Sequence, residues 1–298
     1  MLEKAQGLPV DEAILDLEDS VAPAAKQQAR RNVVEALVVG DWGERLRVVR
    51  VNDWSTEWTF RDVAMIVEEA GSMIDCIMLP KVESAAQVVA LGLLLSQLER
   101  GTGLDEGAIG IEVQIESAAG LVHVDEIAGA SSRVETLVFG PGDFMASLNM
   151  RSLVVGGQPS GYVGDAYHYV FMRILLAARE HGLQAIDGPF GAIRDNEGFR
   201  NSAERSAALG YDGKWVLHPG QIASCNAVFS PDQEDYEQAE SLLEAYSWHT
   251  SSSGGARGAA VFDGGMIDEA SRKMALMTAE RGRAAGMVRT REWTPPSN

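Results

Sequence analysis

The chain has 298 residues, and its 43 Asp and Glu against 25 Lys and Arg give a formal net charge of −18. This acidic balance repels phosphate backbones and anionic lipid, and no apolar run approaches the ~20 residues of a membrane span, so we expect neither nucleic acid nor a membrane as a partner. The two cysteines exclude a disulfide framework, and the N-terminal sequence lacks the basic-then-apolar order of a secretory signal, so we expect a cytoplasmic protein.

Seven short apolar segments alternate with longer amphipathic segments along the first 230 residues. The predicted strands are residues 13–17, 46–51, 76–79, 109–115, 136–139, 184–186 and 214–217. The predicted helices between them include residues 24–38, 60–69, 84–99, 167–181 and 198–209. Nearly continuous apolar strands are typical of parallel sheets covered on both faces, and the alternation indicates either a βα-repeat barrel or a doubly wound sheet.

Polar side chains at the strand ends help to choose between these two folds. They are Glu18, Asp19, Arg50, Asn52, Lys81, Glu83, Glu116, Asp143, Asp187 and His218. In a (β/α)₈ barrel the C-terminal ends of all strands converge on one mouth, whereas a doubly wound sheet uses mainly its switch point. We therefore predict a TIM barrel as the catalytic domain over residues 1–230. Only seven strands are found, so either one strand escapes detection or the chain begins after it.

Residues 231–298 depart from the βα rhythm. A helix is predicted over residues 232–246, followed by a Gly- and Ser-rich linker or mobile loop over residues 250–258. Residues 259–268 predict a hairpin around an Asp-Gly turn, and a further helix is predicted from about residue 269 to 284. Because this segment cannot bury much apolar surface by itself, we expect it to pack on the barrel or on a neighbouring subunit.

The strongest local feature is Glu116 at the end of the fourth predicted strand and Asp143 at the end of the fifth. Adjacent barrel strands bring such carboxylates close together, where two bare anions repel and raise one pKa. A hard divalent cation resolves that conflict, and Mg²⁺ takes one or two carboxylates together with waters and substrate oxygens. We predict a magnesium site here, and salt bridges to Arg or Lys around the rim are the alternative interpretation.

Two further features at the strand ends point to an anionic ligand. Gly140, Pro141 and Gly142 predict a tight turn whose exposed N–H groups hold a carboxylate or an oxyanion, although an ordinary βα loop has a similar composition. Arg50 offers bidentate hydrogen bonds to a substrate carboxylate. His218 is interpreted as a hydrogen-bonding residue at a strand end, with a ligand role as the alternative.

Four charged residues are expected to support this site from outside. Glu18 and Asp19 either bind waters of the metal or fix Arg50 and Lys81 by salt bridges. A salt bridge of this kind is also the alternative to substrate binding by Arg50. Glu83 follows Lys81 by two positions and is assigned to the same supporting group.

Several motifs in order resemble those of the citrate lyase β-subunit-like family of CoA-ester lyases, within the HpcH/HpaI aldolase superfamily. They are ILDLEDSVAP (residues 14–23), RVN (50–52), LPKVE (79–83), QIESA (114–118) and FGPGD (139–143). A narrower resemblance, to malyl-CoA and β-methylmalyl-CoA lyases, is carried by MASLNMRSL (145–153), IDGPFG (186–191) and GKWVLHP (213–219).

The resemblance implies a (β/α)₈ barrel with Mg²⁺, or Mn²⁺ in its place, on Glu116 and Asp143, and with Arg50 on the carboxylate of a keto acid. It also implies that residues 231–298 act as a lid over a neighbouring subunit's site, that Asp268 serves as acid and base, and that the protein is a homotrimer or homohexamer. Family members begin with one more strand, which carries a CoA-binding arginine. We therefore expect the first barrel strand to be missing.

The implied activity is reversible cleavage of L-malyl-CoA or β-methylmalyl-CoA to glyoxylate and acetyl-CoA or propionyl-CoA. The CoA thioester and the keto acid are then the small-molecule partners. A citramalyl-CoA lyase and a malyl-CoA thioesterase are alternatives that use the same site. The non-enzymatic alternative is a truncated, inactive subunit that binds CoA esters or other partners.

Overall fold

The computed structural model describes residues 2–295, and the chain divides into two compact units after Cys225. In the first unit seven strands form one parallel sheet, and each strand pairs with the next one along the chain. The strands are β1 (Glu12–Asp16), β2 (Leu46–Arg50), β3 (Cys76–Leu79), β4 (Gly110–Ile115), β5 (Val134–Phe139), β6 (Gln184–Asp187) and β7 (Gly213–Lys214). Because the strand order never reverses, the sheet has no switch point and is not doubly wound.

The five predicted helices of this region are present as α2, α3, α4, α8 and α9, and the other helices were not predicted. Up to α10 the helices are α1 (Leu2–Ala5), α2 (Lys26–Val39), α3 (Thr59–Ala70), α4 (Ala85–Thr102), α5 (Ala118–Val122), α6 (Val124–Ala128), α7 (Pro141–Ser147), α8 (His168–Glu180), α9 (Asn196–Leu209) and α10 (Pro219–Phe229). Short 3₁₀ turns lie at Pro23–Ala25 and Gly71–Met73. Within residues 2–295 no helix is both long and apolar enough to cross a membrane.

Local sequence explains where these helices begin and end. Ser84 and Gln87 form a capping box that starts α4, and Gly103 ends it with a left-handed backbone (φ 79°). The Asp195 side chain accepts a hydrogen bond from the Gly198 N–H at 2.9 Å and starts α9. Caps of this kind satisfy backbone groups that have no partner inside the helix, so the chain turns at defined residues.

The prediction for the seventh strand was wrong in extent. Residues 214–217 were predicted to be extended, but β7 ends at Lys214. The N–H of Leu217 donates to the Gln221 side chain at 2.9 Å rather than to a neighbouring strand, and Pro219 begins α10. The Gln221 side chain therefore takes the donor that a longer strand would have used, and the chain leaves the sheet early.

Side chains from widely separated strands meet on one face of the sheet, which shows that the sheet is curled. The cluster consists of Ile14, Val48, Cys76, Met78, Val138, Ile186 and Trp215. In a flat sheet β1 and β6 would lie about 24 Å apart, because neighbouring strands are spaced by about 4.8 Å. Their contact through one apolar cluster requires strong curvature, and the parallel, curled sheet is consistent with the predicted TIM-like barrel.

Buried carboxyl groups lie at the opposite end of this concave face from the strand ends discussed above. Glu112 is buried on β4, hydrogen-bonds with Glu12 of β1, and lies near Glu135 and Thr136 of β5. The thiol of Cys76 on β3 donates to Glu135 at 3.7 Å. Burial, followed by the charge of Glu12, raises the pKa of Glu112 well above its usual value, and the pKa of Glu12 is raised as well, first by burial.

A Glu112→Gln variant should be more stable than the wild-type protein at alkaline pH. A carboxyl whose pKa is raised on folding contributes stability below its unfolded pKa, and that stability is lost as pH rises through the folded pKa. The loss amounts to about 1.4 kcal/mol for each pH unit between the two pKa values, and glutamine avoids it. Urea unfolding at pH 5 and pH 9 measures the effect, with the exposed Glu180→Gln as control. Equal pH dependence in variant and wild type would contradict the raised pKa of Glu112.

The second unit, from Asn226 onward, contains two long helices and a small hairpin. Helix α11 (Gln233–Thr250) packs on α12 (Glu269–Ala284) through Ala239, Ala275 and Ala279. Glycine is required at Gly282 because a Cβ there would lie 2.2 Å from the Tyr236 ring. Small residues thus let the two helices approach closely. The structure also confirms the helix predicted from about residue 269 to 284, which is α12.

The predicted hairpin is also confirmed. Strands β8 (Ala260–Phe262) and β9 (Gly265–Ile267) pair antiparallel, and Asp263 and Gly264 join them. Both turn residues have left-handed backbones, with φ of 48° and 76°. A two-residue turn with positive φ at both positions matches the twist of the flanking strands, which is why Asp-Gly is favoured there.

Candidate active site

Glu116 directly follows β4, and it is 2% exposed. Its Oε1 accepts a hydrogen bond from the backbone N–H of Lys81 at 2.7 Å, and its Oε2 accepts one from Gln114 Nε2 at 2.8 Å. Lys81 has a left-handed backbone (φ 52°), a conformation that costs free energy for a residue with a Cβ. The hydrogen bond to Glu116 is one contact that holds Lys81 in this conformation.

Gly140 leaves the space that Glu116 occupies. A Cβ at Gly140 would lie 2.4 Å from both the Cβ and the Oε2 of Glu116. The N–H of Gly140 donates to the carbonyl of Ile115 at 2.9 Å, so the two strand ends are joined at this point. Glycine is needed here for close approach of the carboxylate, while its φ of −105° is open to any residue.

The predicted tight turn of Gly140, Pro141 and Gly142 was wrong. Pro141 begins the short helix α7 directly after Gly140, and neither glycine has a positive φ. Proline favours the first position of a helix because its φ is already helical and its missing N–H needs no partner there. The same missing N–H means that Pro141 cannot donate to an oxyanion. Asp143 therefore lies in the first turn of a helix and not in a glycine loop.

Asp143 comes close to Glu116 and to Lys81. The Asp143 side chain is 42% exposed, and its Oδ2 lies 3.8 Å from Lys81 Nζ. Burial, and then the negative charge of Asp143, raise the pKa of Glu116 to about 8. A cation placed between the two carboxylates would reverse that shift, because an opposite charge favours the ionised form.

The donor set fits a hard divalent cation with few protein ligands. Within residues 2–295 no three His, Cys, Asp or Glu side chains are arranged to hold a metal ion. A metal at Glu116 and Asp143 would thus have two carboxylate ligands and take its remaining ligands from water or substrate. Mg²⁺ binds in this way, whereas structural zinc sites use four protein ligands.

Lys81 connects β1 to the carboxylate pair. Its Nζ donates to Glu18 at 2.5 Å and to Asp19 at 3.3 Å, and it faces Asp143. Burial is the largest single effect and disfavours the charged amine, but the hydrogen bond to Glu18 and the nearby carboxylate charges together outweigh it, so the pKa of Lys81 is raised. The structure thus brings Glu18, Asp19 and Lys81 together beside Asp143.

Arg50, which is 9% exposed, is held in a network of ion pairs. Its Nε and Nη2 donate to the two oxygens of Asp16 at 2.7 Å each, and its Nη1 lies 3.0 Å from Glu18. Burial is the largest single effect and opposes ionisation of Asp16, but the hydrogen bonds and charge of Arg50, with smaller contributions from Ser20 and Glu18, together outweigh it, so the pKa of Asp16 is lowered. The guanidinium also lies 5.0 Å from the centre of the Trp215 ring.

Lys26 holds the loop after β1 by hydrogen bonds to its backbone. The Lys26 side chain is buried, and its Nζ donates to the carbonyls of Leu17 and Glu18 at 2.7 Å each. Asn52 donates to the same Leu17 carbonyl at 3.0 Å and to Asp62 at 2.6 Å. These contacts set the direction in which Glu18 leaves β1.

The remaining polar residues at the strand ends do not join this group. Asp187 forms a buried ion pair with Lys214 at 2.6 Å and accepts a hydrogen bond from Ser206. His218 is exposed, and its Nδ1 accepts from the Gly220 N–H at 3.0 Å. Glu83 is exposed, and within residues 2–295 only its backbone makes hydrogen bonds, so its side chain is not linked to Lys81.

Asp268 belongs to the second unit, where it caps α12. Its Oδ1 accepts from the N–H of Ser271 at 3.0 Å, and the two residues form a capping box. The backbone hydrogen bond from Ser271 is the main cause that lowers the pKa of Asp268. Asp268 is therefore an ionised carboxylate at the junction of the hairpin and α12.

Residues 1–219 match the model of the HpcH/HpaI aldolase/citrate lyase family. The chain belongs to this family. It is 41% identical to the L-malyl-CoA/beta-methylmalyl-CoA lyase of Cereibacter sphaeroides over 284 residues, and this alignment covers 92% of this chain and 88% of that protein. A (3S)-malyl-CoA thioesterase of the same organism is 34% identical over 290 residues, covering 97% of this chain and 92% of that protein. The fold is also similar to a crystal structure of CitE from Mycobacterium tuberculosis in complex with magnesium, acetoacetate and coenzyme A. That protein is 31% identical in sequence to this chain, and the superposition has a TM-score of 0.69 and covers 92% of this chain and 90% of that chain.

Membership in the family confirms the resemblance drawn from the motifs, including the narrower one to malyl-CoA and β-methylmalyl-CoA lyases. It also confirms the prediction that the protein is a carbon–carbon lyase. The HpcH/HpaI match spans all seven strands and the side chains that surround Glu116. Except for Asp268, the candidate site described above thus lies within the part of the chain that the family model matches.

Proposed function

We propose that the protein is a magnesium-dependent CoA-ester lyase that cleaves or forms L-malyl-CoA and β-methylmalyl-CoA, with glyoxylate and acetyl-CoA or propionyl-CoA as the other reactants. The observation that carries the proposal is the pair of carboxylates at the ends of β4 and β5, where burial and Asp143 raise the pKa of Glu116 to about 8. The names of the relatives and the magnesium in the CitE complex support the same activity.

Charge supports a cation at this site. Within residues 2–295 five carboxylates of this region face three cationic side chains, so one more positive charge would improve the balance. The carboxylates are those of Asp16, Glu18, Asp19, Glu116 and Asp143, and the cations are Lys26, Arg50 and Lys81. A bound Mg²⁺ would act as a Lewis acid and as a template for the keto acid. Glu116 and Asp143 would hold it.

Arg50 is proposed to bind the carboxylate of the keto acid. A guanidinium has five N–H donors, and three of those of Arg50 have carboxylate partners within residues 2–295. The other two can donate to a substrate. The bidentate contact with Asp16 and the ring of Trp215 fix the plane of the guanidinium. The two N–H groups without a carboxylate partner therefore point in fixed directions.

Asp268 is proposed to exchange the proton at the acyl α-carbon. In the condensation direction its carboxylate removes that proton, the resulting carbanion attacks the aldehyde carbon of glyoxylate to form the new carbon–carbon bond, and the alkoxide takes a proton from solvent water. In cleavage the hydroxyl group gives its proton to solvent water, the same bond breaks, and the protonated Asp268 returns its proton to the α-carbon. The lowered pKa of Asp268 favours its ionised form, which is the form that condensation requires. The lid role of residues 231–298 and assembly into trimers or hexamers stay predictions.

An Asp143→Ala variant tests this assignment. We expect wild-type protein to convert malyl-CoA to glyoxylate and acetyl-CoA when Mg²⁺ is added, and the variant to be at least about 100-fold slower, since even residues that only orient metal ligands cost 10–100-fold. Asp105→Ala, at an exposed position, is the matched control. Nearly normal magnesium-dependent cleavage by the Asp143→Ala protein would rule out the proposed site.

Product analysis distinguishes the lyase from its alternatives. Equal amounts of glyoxylate and acetyl-CoA, with no free CoA thiol, support the lyase. Free malate together with the CoA thiol would show a thioesterase, the activity named for one of the relatives. Pyruvate formed from citramalyl-CoA, in the absence of malyl-CoA cleavage, would show a citramalyl-CoA lyase.

A further inference from the structure

Gln114 lies beside Glu116 on the concave face of β4. The two residues are separated by one position, so their side chains leave the strand on the same side. Gln114 is 3% exposed, and its Nε2 donates to Glu116 Oε2 at 2.8 Å. Glu116 is therefore held from two directions, by this amide and by the backbone N–H of Lys81.

The other end of the same amide has no partner in the described part of the chain. Within residues 2–295, Gln114 Oε1 is buried and accepts no hydrogen bond. Buried carbonyl oxygens in proteins are nearly always paired, because an unpaired one loses the hydrogen bonds that it makes with water in the unfolded chain. This oxygen is an acceptor that the described part of the chain leaves open.

The amide cannot gain a partner by turning over. A carboxylate that binds a cation is ionised and only accepts hydrogen bonds, so Nε2 must face Glu116 and Oε1 must face away from it. On the neighbouring strand, the register partner of Gln114 is the apolar Val138. The N–H of Gly140, which follows that strand, already donates to the carbonyl of Ile115.

The space around the pair is shaped by Gly140. A Cβ there would lie 2.8 Å from Gln114 Nε2 and 2.4 Å from Glu116 Oε2. Any side chain at this position would push the amide and the carboxylate apart. The chain thus keeps room for this hydrogen-bonded pair, although one end of it is unsatisfied.

We propose that Gln114 is a positioning residue of the candidate metal site and that its Oε1 accepts a hydrogen bond from an O–H group brought by the ligand. The nitrogen of the amide fixes Glu116, and the oxygen receives either the hydroxyl of a 2-hydroxy carboxylate or a water on the cation. Both sources supply the same chemistry, an O–H donor. The proposal rests on the proposed function, since it takes Glu116 as a metal ligand.

Titration with Mn²⁺, followed by electron paramagnetic resonance, tests the positioning role. Gln114→Met removes both polar ends at a similar volume, and Gln184→Met, at the exposed start of β6, is the matched control. We expect Gln114→Met to bind Mn²⁺ about 10–100-fold more weakly than wild type, and Gln184→Met to bind it equally well. Wild-type affinity in Gln114→Met overturns the positioning role. A wild-type protein that binds no Mn²⁺ overturns the proposed function instead.

Calorimetry of the Mn²⁺-loaded proteins with malate and with succinate, which lacks only the hydroxyl, tests the acceptor role. If a substrate hydroxyl is the donor, the ratio of malate to succinate affinity falls about tenfold in Gln114→Met, as for one lost hydrogen bond, and is retained in Gln114→Glu, which keeps acceptor oxygens. Loss of the ratio in both variants overturns the acceptor role.

Water proton relaxation of the same Mn²⁺ complexes identifies the second source. If a water on the cation is the donor, the malate-to-succinate ratio is unchanged in Gln114→Met, but the relaxation enhancement falls. An unchanged ratio together with an unchanged enhancement overturns the acceptor role. Gln114→Glu also lacks the N–H donor when ionised, so it provides a polar variant for these measurements if the methionine variant folds poorly.

Discussion

Replacing Glu116 with glutamine is expected to lower turnover of malyl-CoA by about 10³-fold, because a metal ion supplies several kcal/mol of charge stabilisation in reactions of this kind. The substitution preserves the shape of the side chain but removes the negative charge that the candidate site provides. The measurement is kcat for cleavage at saturating Mg²⁺. Glu126→Gln, at an exposed position on α6, is the matched control and should leave kcat unchanged.

The same substitution should stabilise the metal-free protein at neutral and alkaline pH. The pKa of Glu116 is raised from 4.5 to about 8, so the folded protein holds this proton more tightly than the unfolded chain does. The associated stability is complete below the unfolded pKa and is lost as pH rises through about 8, at about 1.4 kcal/mol per pH unit. The Glu116→Gln protein avoids this loss.

Thermal unfolding in the presence of a chelator at pH 5, 7 and 9 measures this difference. The two proteins should unfold at similar temperatures at pH 5, and the variant should unfold at the higher temperature at pH 9. Added Mg²⁺ should raise the Tm of wild type and not that of the variant, since only wild type has the complete site. A variant that is active, or one that responds to Mg²⁺ as wild type does, would contradict the role of Glu116.

Most of the fold could be predicted because its strands are short apolar runs with polar ends. The bounds of β3 match the prediction, and those of α12 match as well. Such runs indicate burial on both faces, and the polar residues that follow them mark where each strand leaves the core. The predictions failed at β7 and α7, where a Gln221 side chain and Pro141 decide the backbone locally. Run length and glycine content carry no information about those contacts.

Less of the candidate site could be predicted, because its contacts depend on strand register. Glu116, Asp143 and Lys81 were identified from their positions after strands, a signal that needs no register. The pairing of Asp16 with Arg50 follows from their being register partners on β1 and β2. A shift of one residue would place them on opposite faces, and the sequence does not state the register. Asp16 was not predicted as a site residue. It lies two positions before Glu18, and residues two apart in a strand point to the same side, so this spacing was the available signal for it.

Two other supporting residues had no signal at all. Lys26 begins an amphipathic helix, where a lysine is typical of a solvated face, yet it is buried against the carbonyls of the β1 loop. Trp215 follows a short strand and meets Arg50 only because the sheet curls. Contacts between residues so distant along the sheet depend on its curvature, which is a property of the whole fold and not of any local pattern.

An Arg50→Met variant is expected to lose both stability and turnover. Without Arg50, Asp16 keeps hydrogen bonds from Glu18 and Ser20 but loses its cationic partner, while Glu18 retains Lys81. Removing one partner of a buried ion pair costs about 3–5 kcal/mol, because a charge is left in the interior without compensation. Urea unfolding measures this loss. We also expect kcat/KM to fall about 100-fold, which corresponds to about 2.7 kcal/mol of lost interaction with the substrate carboxylate.

Two comparisons separate the structural and the substrate-binding parts of this effect. Arg200→Met removes an exposed arginine that pairs with Glu204, and it should change the free energy of unfolding by less than about 0.5 kcal/mol. Arg50→Lys keeps the charge but loses the bidentate geometry, so it should recover part of the stability and little of the turnover. If Arg50→Lys restores both equally, Arg50 acts through the ion pairs alone. If Arg50→Met is as stable as Arg200→Met, the network around Asp16 does not support the fold, and only the role at the substrate carboxylate remains.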